Sequence, residues 1–264
     1  MRRSRVAIVA LLMMGALGCA TGYNPGTSQE ELILIDTDRE VRIGASIARQ
    51  IEESQEFKRS NDPAVLARLD RIGHRLAAVS DRKELTYHVT LLEWDEVNAF
   101  AVPGGYIYVS NTLVELAQSD DELASVLGHE IGHIVAKHSI KRLQASLGAA
   151  LVQVLLAAGG QRDARTARGA HVALGHLFLA HARQDELQAD TLAVRYLQRA
   201  GFNPEGALTF LERMQVHQRK EPSRSFSYVR THPHFDDRIR VVKQAVRGQV
   251  DFEDYINMSP ESPR

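Results

Sequence analysis

Two histidines stand four positions apart around a glutamate in His129-Glu130-Ile131-Gly132-His133. On an α-helix, positions i and i+4 differ by about 40° around the axis, so both imidazoles can reach one ion. Glu130 lies about 60° beyond His133 on the same side, near that ion but free to hold a water. Zinc with three protein ligands and an open position brings the pKa of its water to about 7. A neighbouring carboxylate then takes the proton as the water attacks a carbonyl. The chemistry is amide hydrolysis without a covalent intermediate. The flanks support burial: Leu123, Ala124, Val126, Leu127, Ile131, Ile134 and Val135 make the helix apolar on most sides. Buried histidines and a buried glutamate need partners, and a divalent cation supplies them.

A third ligand is required. Ala136 and Ser139 stand where a metzincin pattern needs glycine and histidine, so that route is closed. His138 lies nine residues after His129, about 180° round a continuous helix, and is expected to point away as a structural or surface histidine. Glu186 and Asp190 lie one turn apart in Arg183-Gln184-Asp185-Glu186-Leu187-Gln188-Ala189-Asp190. Spacing alone leaves Glu186 open between ligand and bystander. Asp190 stays open between a helix charge paired with Arg183 and a carboxylate that receives the second N–H of a ligating histidine.

Together, His129 to His133, Arg183-x-x-Glu186-x-x-Ala189-Asp190, Asn98-Ala99-Phe100-Ala101-Val102-Pro103-Gly104-Gly105 and Thr231-His232-Pro233 resemble the zinc metallopeptidase family of the CAAX prenyl proteases, HtpX and BepA. The similarity extends over about residues 36 to 245. The resemblance implies one Zn2+ per chain, held by His129, His133 and Glu186, with Glu130 as general base and Asp190 behind a ligand. It places His232 near the metal, to polarise the substrate carbonyl or to occupy the open position in a resting state. A positioned donor at a developing oxyanion contributes roughly 3 to 4 kcal/mol. Arg238 matches a family arginine, with a structural role expected. His181-Ala182 departs from the family pattern just before Arg183. His74, His88, His171, His176, His217 and His234 have no ligand spacing to the motif and are read as structural.

These residues need a scaffold. Val41, Ala45, Ala48 and Ile51 recur at helical spacing between about Asp36 and Glu53. Asp62-Pro63 opens a helix to about Val79. Leu85 to Glu93 reads as a strand. Asn98 to Val102, the turn Pro103-Gly104-Gly105 and Tyr106 to Val109 read as a strand pair or a bulged strand. The edge of such a strand can hold an extended peptide, and Gly104 and Gly105 allow close approach, so Pro103, Gly104 and Gly105 are candidate substrate contacts; the alternative is a plain hairpin turn. Ser119 with Glu122 forms a capping box ahead of the motif helix. Helices are expected at Ala145 to Ala158, from about Val172, at Arg183 to Ala200, after Pro204, and from Asp236 or Asp237 to about Val246. The 145–158 helix and the arginine-containing loop after it could cover the cleft. A block of strands among many helices gives α+β: a mostly helical, zincin-like (gluzincin-type) metalloprotease domain with a small β-sheet.

Apolar residues make up 44% of the 264 and charged residues 25%, a globular balance. Net charge is -1, with 32 basic and 33 acidic residues, which gives no case for nucleic acid. A single cysteine rules out a disulfide framework. Arg2, Arg3 and Arg5 precede an apolar run from Val6 to Gly18, which describes an export signal. Cys19 directly after Gly18 looks like a bacterial lipobox, implying cleavage before Cys19 and acylation of its thiol. Ala20 in place of Asp favours the outer membrane facing the periplasm. The expected organisation is a signal peptide at 1–18, a lipid-anchored tether at 19–35, a peptidase domain at 36–250 and a polar tail at 251–264. The expected function is a zinc endopeptidase of the bacterial envelope that cleaves misassembled or unfolded envelope proteins. The alternative is a largely latent metallo-fold acting as a chaperone or assembly scaffold.

Overall fold

The computed structural model describes residues 21–145, 180–220 and 227–248. The export signal, Cys19, the helix and loop expected after 145 and the polar tail lie outside the described residues.

The first helix, α1 (Thr37–Glu53), starts where Asp36 accepts a hydrogen bond from the Arg39 amide at 2.8 Å. The second, α2 (Pro63–Val79), starts at Asp62, whose carboxylate accepts from Ala64 and Val65, with Pro63 in the first turn. Both match the capping chemistry expected of those residues. Between and after them lie β3 (Lys58–Arg59), β4 (His88–Glu93), β5 (Ala99–Val102) and β6 (Tyr106–Ser110). They form one mixed sheet in the order β3-β4-β6-β5, with β4 and β6 parallel and the other pairs antiparallel. Pro103-Gly104-Gly105 closes the β5–β6 hairpin, so the strand pair, not the bulged strand, is the outcome. A short α3 (Asn111–Leu116) leads to α4 (Asp120–Val135), which carries the histidine motif. Then follow α5 (Arg183–Ala200), α6 (Glu205–Lys220), the single turn α7 (Tyr228–Thr231) and α8 (Phe235–Val246).

The period of two along the strands divides the core. Leu91, Ala99, Ala101, Ile107 and Val109 face the larger cluster, built with α2, α4, α5, α6 and α8. Leu92, Phe100, Val102 and Tyr108 face the smaller one, with Ile47 and Ile51 of α1. A sheet covered on both faces buries its strands fully, which is why β5 is apolar at every position rather than alternating. The α+β, mostly helical expectation therefore holds.

Three details differ from the sequence reading. Thr21 to Gln29 is no tether. It belongs to an antiparallel hairpin, β1 (Thr21–Asn24) with β2 (Gln29–Leu32). Buried Asn24 accepts from the Gly26 amide at 2.9 Å and donates to the Ala136 carbonyl at 3.0 Å, docking the hairpin on the end of α4. Gly, Pro, Asn and Ser suit a tight turn as well as a linker, so composition could not separate the two. The continuation to 35 is also seated, with Ile33 and Ile35 buried. In the capping box, Ser119 Oγ accepts from the Glu122 amide, but the Glu122 carboxylate takes the Gln118 amide instead of that of Ser119. The last helix starts at Phe235, after His234 in the left-handed region (φ 69°), so Asp236 and Asp237 lie inside its first turn. Among the described residues no helix is long and apolar enough to cross a membrane.

Candidate metal centre

The centre is made where α4 crosses α5. Gly132 faces Ala189 so closely that a Cβ there would stand 2.9 Å from the Ala189 carbonyl oxygen, and Gly128 faces Ala193. Small residues at these positions let the two backbones approach. That brings His129 and His133 on one helix against Glu186 and Asp190 on the other.

His129 Nε2 and His133 Nε2 are 3.0 Å apart. The Glu186 carboxylate lies 3.5 Å from the first, through Oε2, and 3.4 Å from the second, through Oε1. His232 Nδ1 completes the group, 3.3 Å from His129 Nε2 and 3.1 Å from Glu186 Oε1. All four side chains are buried, and their donor atoms lie within 4.8 Å of one another. Four atoms bound tetrahedrally at about 2.0 to 2.1 Å from one ion stand about 3.3 Å apart. The observed separations, taken to the nearer Glu186 oxygen, lie close to that figure. Three imidazoles and a carboxylate also suit a divalent transition ion. The residues therefore fit a metal ion.

Glu130 stands beside this group and not in it. It is fully buried, and neither carboxylate oxygen has a hydrogen-bond partner; His232 Nε2 is 3.6 Å away. Burial raises its pKa, opposed by His232 and His129. A lone carboxylate held this way is a proton acceptor poised above the ordinary carboxylate range. Glu186 is the opposite case. Burial would raise it, but His232, Arg238 and His129 together hold it well below that range, so it stays an anion.

Further residues hold the group in place. His129 Nδ1 is 2.8 Å from Asp190 Oδ1. Arg238 donates to both Asp190 oxygens, lies 3.0 Å from Glu186 Oε2 and donates to the His232 carbonyl at 3.1 Å. Thus α8 braces both helices and the turn that carries His232. His232 caps α7, its amide donates to the Tyr228 carbonyl at 2.7 Å, and the Tyr228 ring stacks on its own at 4.4 Å.

Two residues escaped the sequence reading. His138 does not point away: α4 ends at Val135, Lys137 turns through φ 55°, and His138 swings back to place Nδ1 2.7 Å from His133 Nδ1. The geometry of an unbroken helix did not apply, and no glycine or proline marked the break. His181, noted only as a departure from a pattern, lies with its ring 4.0 Å from that of His133 and 5.1 Å from that of His232. Its Nδ1 touches the Arg142 guanidinium. Pro103, Gly104 and Gly105 are not brought into the group. Their turn packs on α1, where the Pro103 carbonyl leaves no room for a Cβ on Gly44, and the Gly104 amide lies 3.3 Å from Glu40 Oε1. The end of β5 nearer the centre is Ala99, whose carbonyl is 3.4 Å from His232 Nε2.

Comparison with known proteins agrees with this geometry. The chain is 29% identical over 216 residues to the beta-barrel assembly-enhancing protease of Escherichia coli (strain K12), covering 79% of this chain and 43% of that one. It is 26% identical over 225 residues to the mitochondrial metalloendopeptidase OMA1 of Schizosaccharomyces pombe, covering 84% and 65%. The OMA1 protein of Arabidopsis thaliana is 28% identical over 224 residues, covering 85% and 43%. The match thus spans less than half of the Escherichia coli relative. The profile described as Peptidase family M48 matches residues 63–246, from the start of α2 to the end of α8. With that span enclosing every residue of the centre, the chain belongs to peptidase family M48, a family of metallopeptidases.

Proposed function

We propose that this chain is a zinc endopeptidase of the bacterial cell envelope that cleaves unfolded or misassembled envelope proteins. One observation carries the chemistry: a close buried group of His129, His133, Glu186 and His232, with Glu130, a buried carboxylate that has no hydrogen-bond partner, at its side. Zinc, when bound, polarises a carbonyl and lowers the pKa of a water to about 7. Glu130 accepts the proton of the attacking water and passes it to the leaving amine. Asp190 and Arg238 fix the orientation of His129 and Glu186. β5 ends the sheet order, with no strand beyond it among the described residues; an extended substrate would pair along it beside the centre once the cover over its buried residues has moved. We read the place of His232 Nδ1 among the four donors as a resting arrangement. On that reading His232 has to leave the position before substrate binds.

The test is hydrolysis of an unfolded protein by wild type and by Glu130→Gln. A loss of about 10²- to 10⁴-fold at unchanged zinc content is expected. Equal turnover by both proteins removes the peptidase reading and leaves the scaffold alternative, which the His232 contact favours.

The address supports the envelope. The arginines before the apolar run, with Cys19 at its close, favour export and acylation, and the name of the Escherichia coli relative suggests β-barrel proteins in assembly as clients. Cys19→Ser is expected to move the protein from the membrane fraction to the soluble one. A variant that stays with the membrane rules out the lipid anchor.

A further inference from the structure

A line of buried hydrogen bonds runs away from the metal centre and ends in the N-terminal hairpin. His133 Nδ1 lies 2.7 Å from His138 Nδ1. His138 Nε2 lies 2.8 Å from Gln188 Oε1. Gln188 Nε2 donates to the Gly26 carbonyl at 2.9 Å. His133, His138 and Gln188 are all buried, so each contact is made without competing water.

The order of donors along this line is forced from its far end. The Gly26 carbonyl can only accept, so the Gln188 amide group must turn its NH2 toward the turn. Its Oε1 then faces His138, and His138 Nε2 must carry hydrogen to meet it. Asp185 Oδ1, 3.4 Å from the same nitrogen, is a second acceptor and favours the same tautomer. In neutral His138, Nδ1 is therefore the bare nitrogen, so His133 Nδ1 is the donor of that pair. His133 Nε2 is left with its lone pair aimed into the group formed with His129, Glu186 and His232. The Gly26 carbonyl, together with Asp185, thus sets the tautomer of His133, three links from the turn.

We propose that His138 and Gln188 are positioning residues for the ligand His133, and that the β1–β2 turn at Gly26 fixes their register. The assignment rests on the zinc reading of the centre. The turn is rigidly seated: a Cβ on Gly26 would stand 2.6 Å from the Ala136 Cα, and Asn24 donates to the Ala136 carbonyl. A chain segment remote in sequence, next to the expected site of acylation, is in this way part of the metal centre.

The test measures zinc affinity by chelator competition and the absorption spectrum of the cobalt-substituted protein, with circular dichroism as the folding check. Gln188→Leu, which acts on His133 through His138, is expected to weaken zinc binding by up to about 10-fold, the low end of the cost of losing a ligand's direct outer partner, and to shift the cobalt bands. Gly26→Ala, which pushes the turn off Ala136, is expected to change both readouts in the same direction by less. Tyr23→Ser, on the exposed face of the same hairpin, leaves both unchanged. Should Gln188→Leu fail to fold, Gln188→Met keeps the length without a strong acceptor and is read the same way. A folded Gln188 variant with wild-type zinc affinity and spectrum overturns the assignment, and a Gly26→Ala protein with wild-type values removes the turn from it. A wild-type protein that takes up no zinc sinks this assignment and the reading of the centre together, whereas wild-type zinc binding with an unaltered Gln188 variant sinks this one alone.

Discussion

Arg238 holds Asp190 through two parallel hydrogen bonds, Nε to Oδ2 and Nη2 to Oδ1, each 2.8 Å long. The same Asp190 Oδ1 faces His129 Nδ1, so one carboxylate ties α8 to His129 on α4. Both partners are buried, and the guanidinium also faces Glu186. Arg238→Met leaves two buried carboxylates without their cation, and stability is expected to fall by about 3 to 5 kcal/mol. Arg238→Lys is a poor rescue, because an ammonium cannot make the two-pronged contact. Chemical denaturation measures both; a loss under about 1 kcal/mol for the methionine variant refutes the bracing role.

The helix crossing predicts a contrast between neighbouring glycines. At Gly128 an added Cβ meets Ala193 at 3.5 Å, an ordinary contact. Gly128→Ala is therefore expected to be neutral, or to stabilise α4 by up to about 1 kcal/mol. At Gly132 the added carbon meets Ala189 backbone at 2.9 and 3.0 Å. Gly132→Ala must part the helices, at a cost of about 1 to 3 kcal/mol, and weaken metal binding as Glu186 draws back. Melting temperatures and zinc titration of the pair decide it. Equal behaviour of the two variants counts against the crossing as the determinant of the site.

The place of His232 among the four donors makes the sign of a substitution informative. His232→Ala is expected to keep metal on three ligands with lower affinity and to cut unfolded protein faster than wild type, because the occupied position is cleared. A slower variant with intact metal instead assigns His232 to the carbonyl oxygen and removes the resting-state reading.

Glu122 offers a pH signature away from the metal. Burial would raise its pKa, but hydrogen bonds from Arg213 and from the Gln118 amide outweigh this and hold it below the usual value. A carboxylate lowered in the folded state contributes stability that is complete above its unfolded pKa of about 4.3 and is lost as pH falls through the lower folded value. Wild type should therefore be more stable than Glu122→Gln near pH 7, and the gap should close below about pH 4. A gap that persists in acid shows that packing, not charge, holds this end of α4.

The motif helix was readable in the sequence because its chemistry repeats within one element: His129, Glu130 and His133 share a turn, and apolar neighbours declare its burial. Glu186 needed more, since 52 residues separate it from His133 and only the crossing of two helices unites them. The Arg238–Asp190 contact was out of reach for the same reason. His138 was misplaced because the angle argument extended α4 past Val135, where a lysine in a left-handed conformation breaks it without a sequence signal. The hairpin at 21–32 has the composition of a tether because turns and linkers draw on the same residues. What was legible is local; what was missed depends on where separate segments meet.

On the proposed peptidase reading, pairing along β5, the last strand of the sheet among the described residues, sets a rule for clients. Main-chain pairing there asks only for a stretch of polypeptide that has let go of its own neighbours. A folded protein supplies such a stretch only in its open population, so its rate of destruction scales with that fraction when opening and closing outpace cutting. A client open one time in a thousand would thus survive about a thousandfold longer than one that never folds, and a defect costing it about 1.4 kcal/mol would shorten its life tenfold. Discrimination between sound and faulty clients then requires no recognition of a particular side chain.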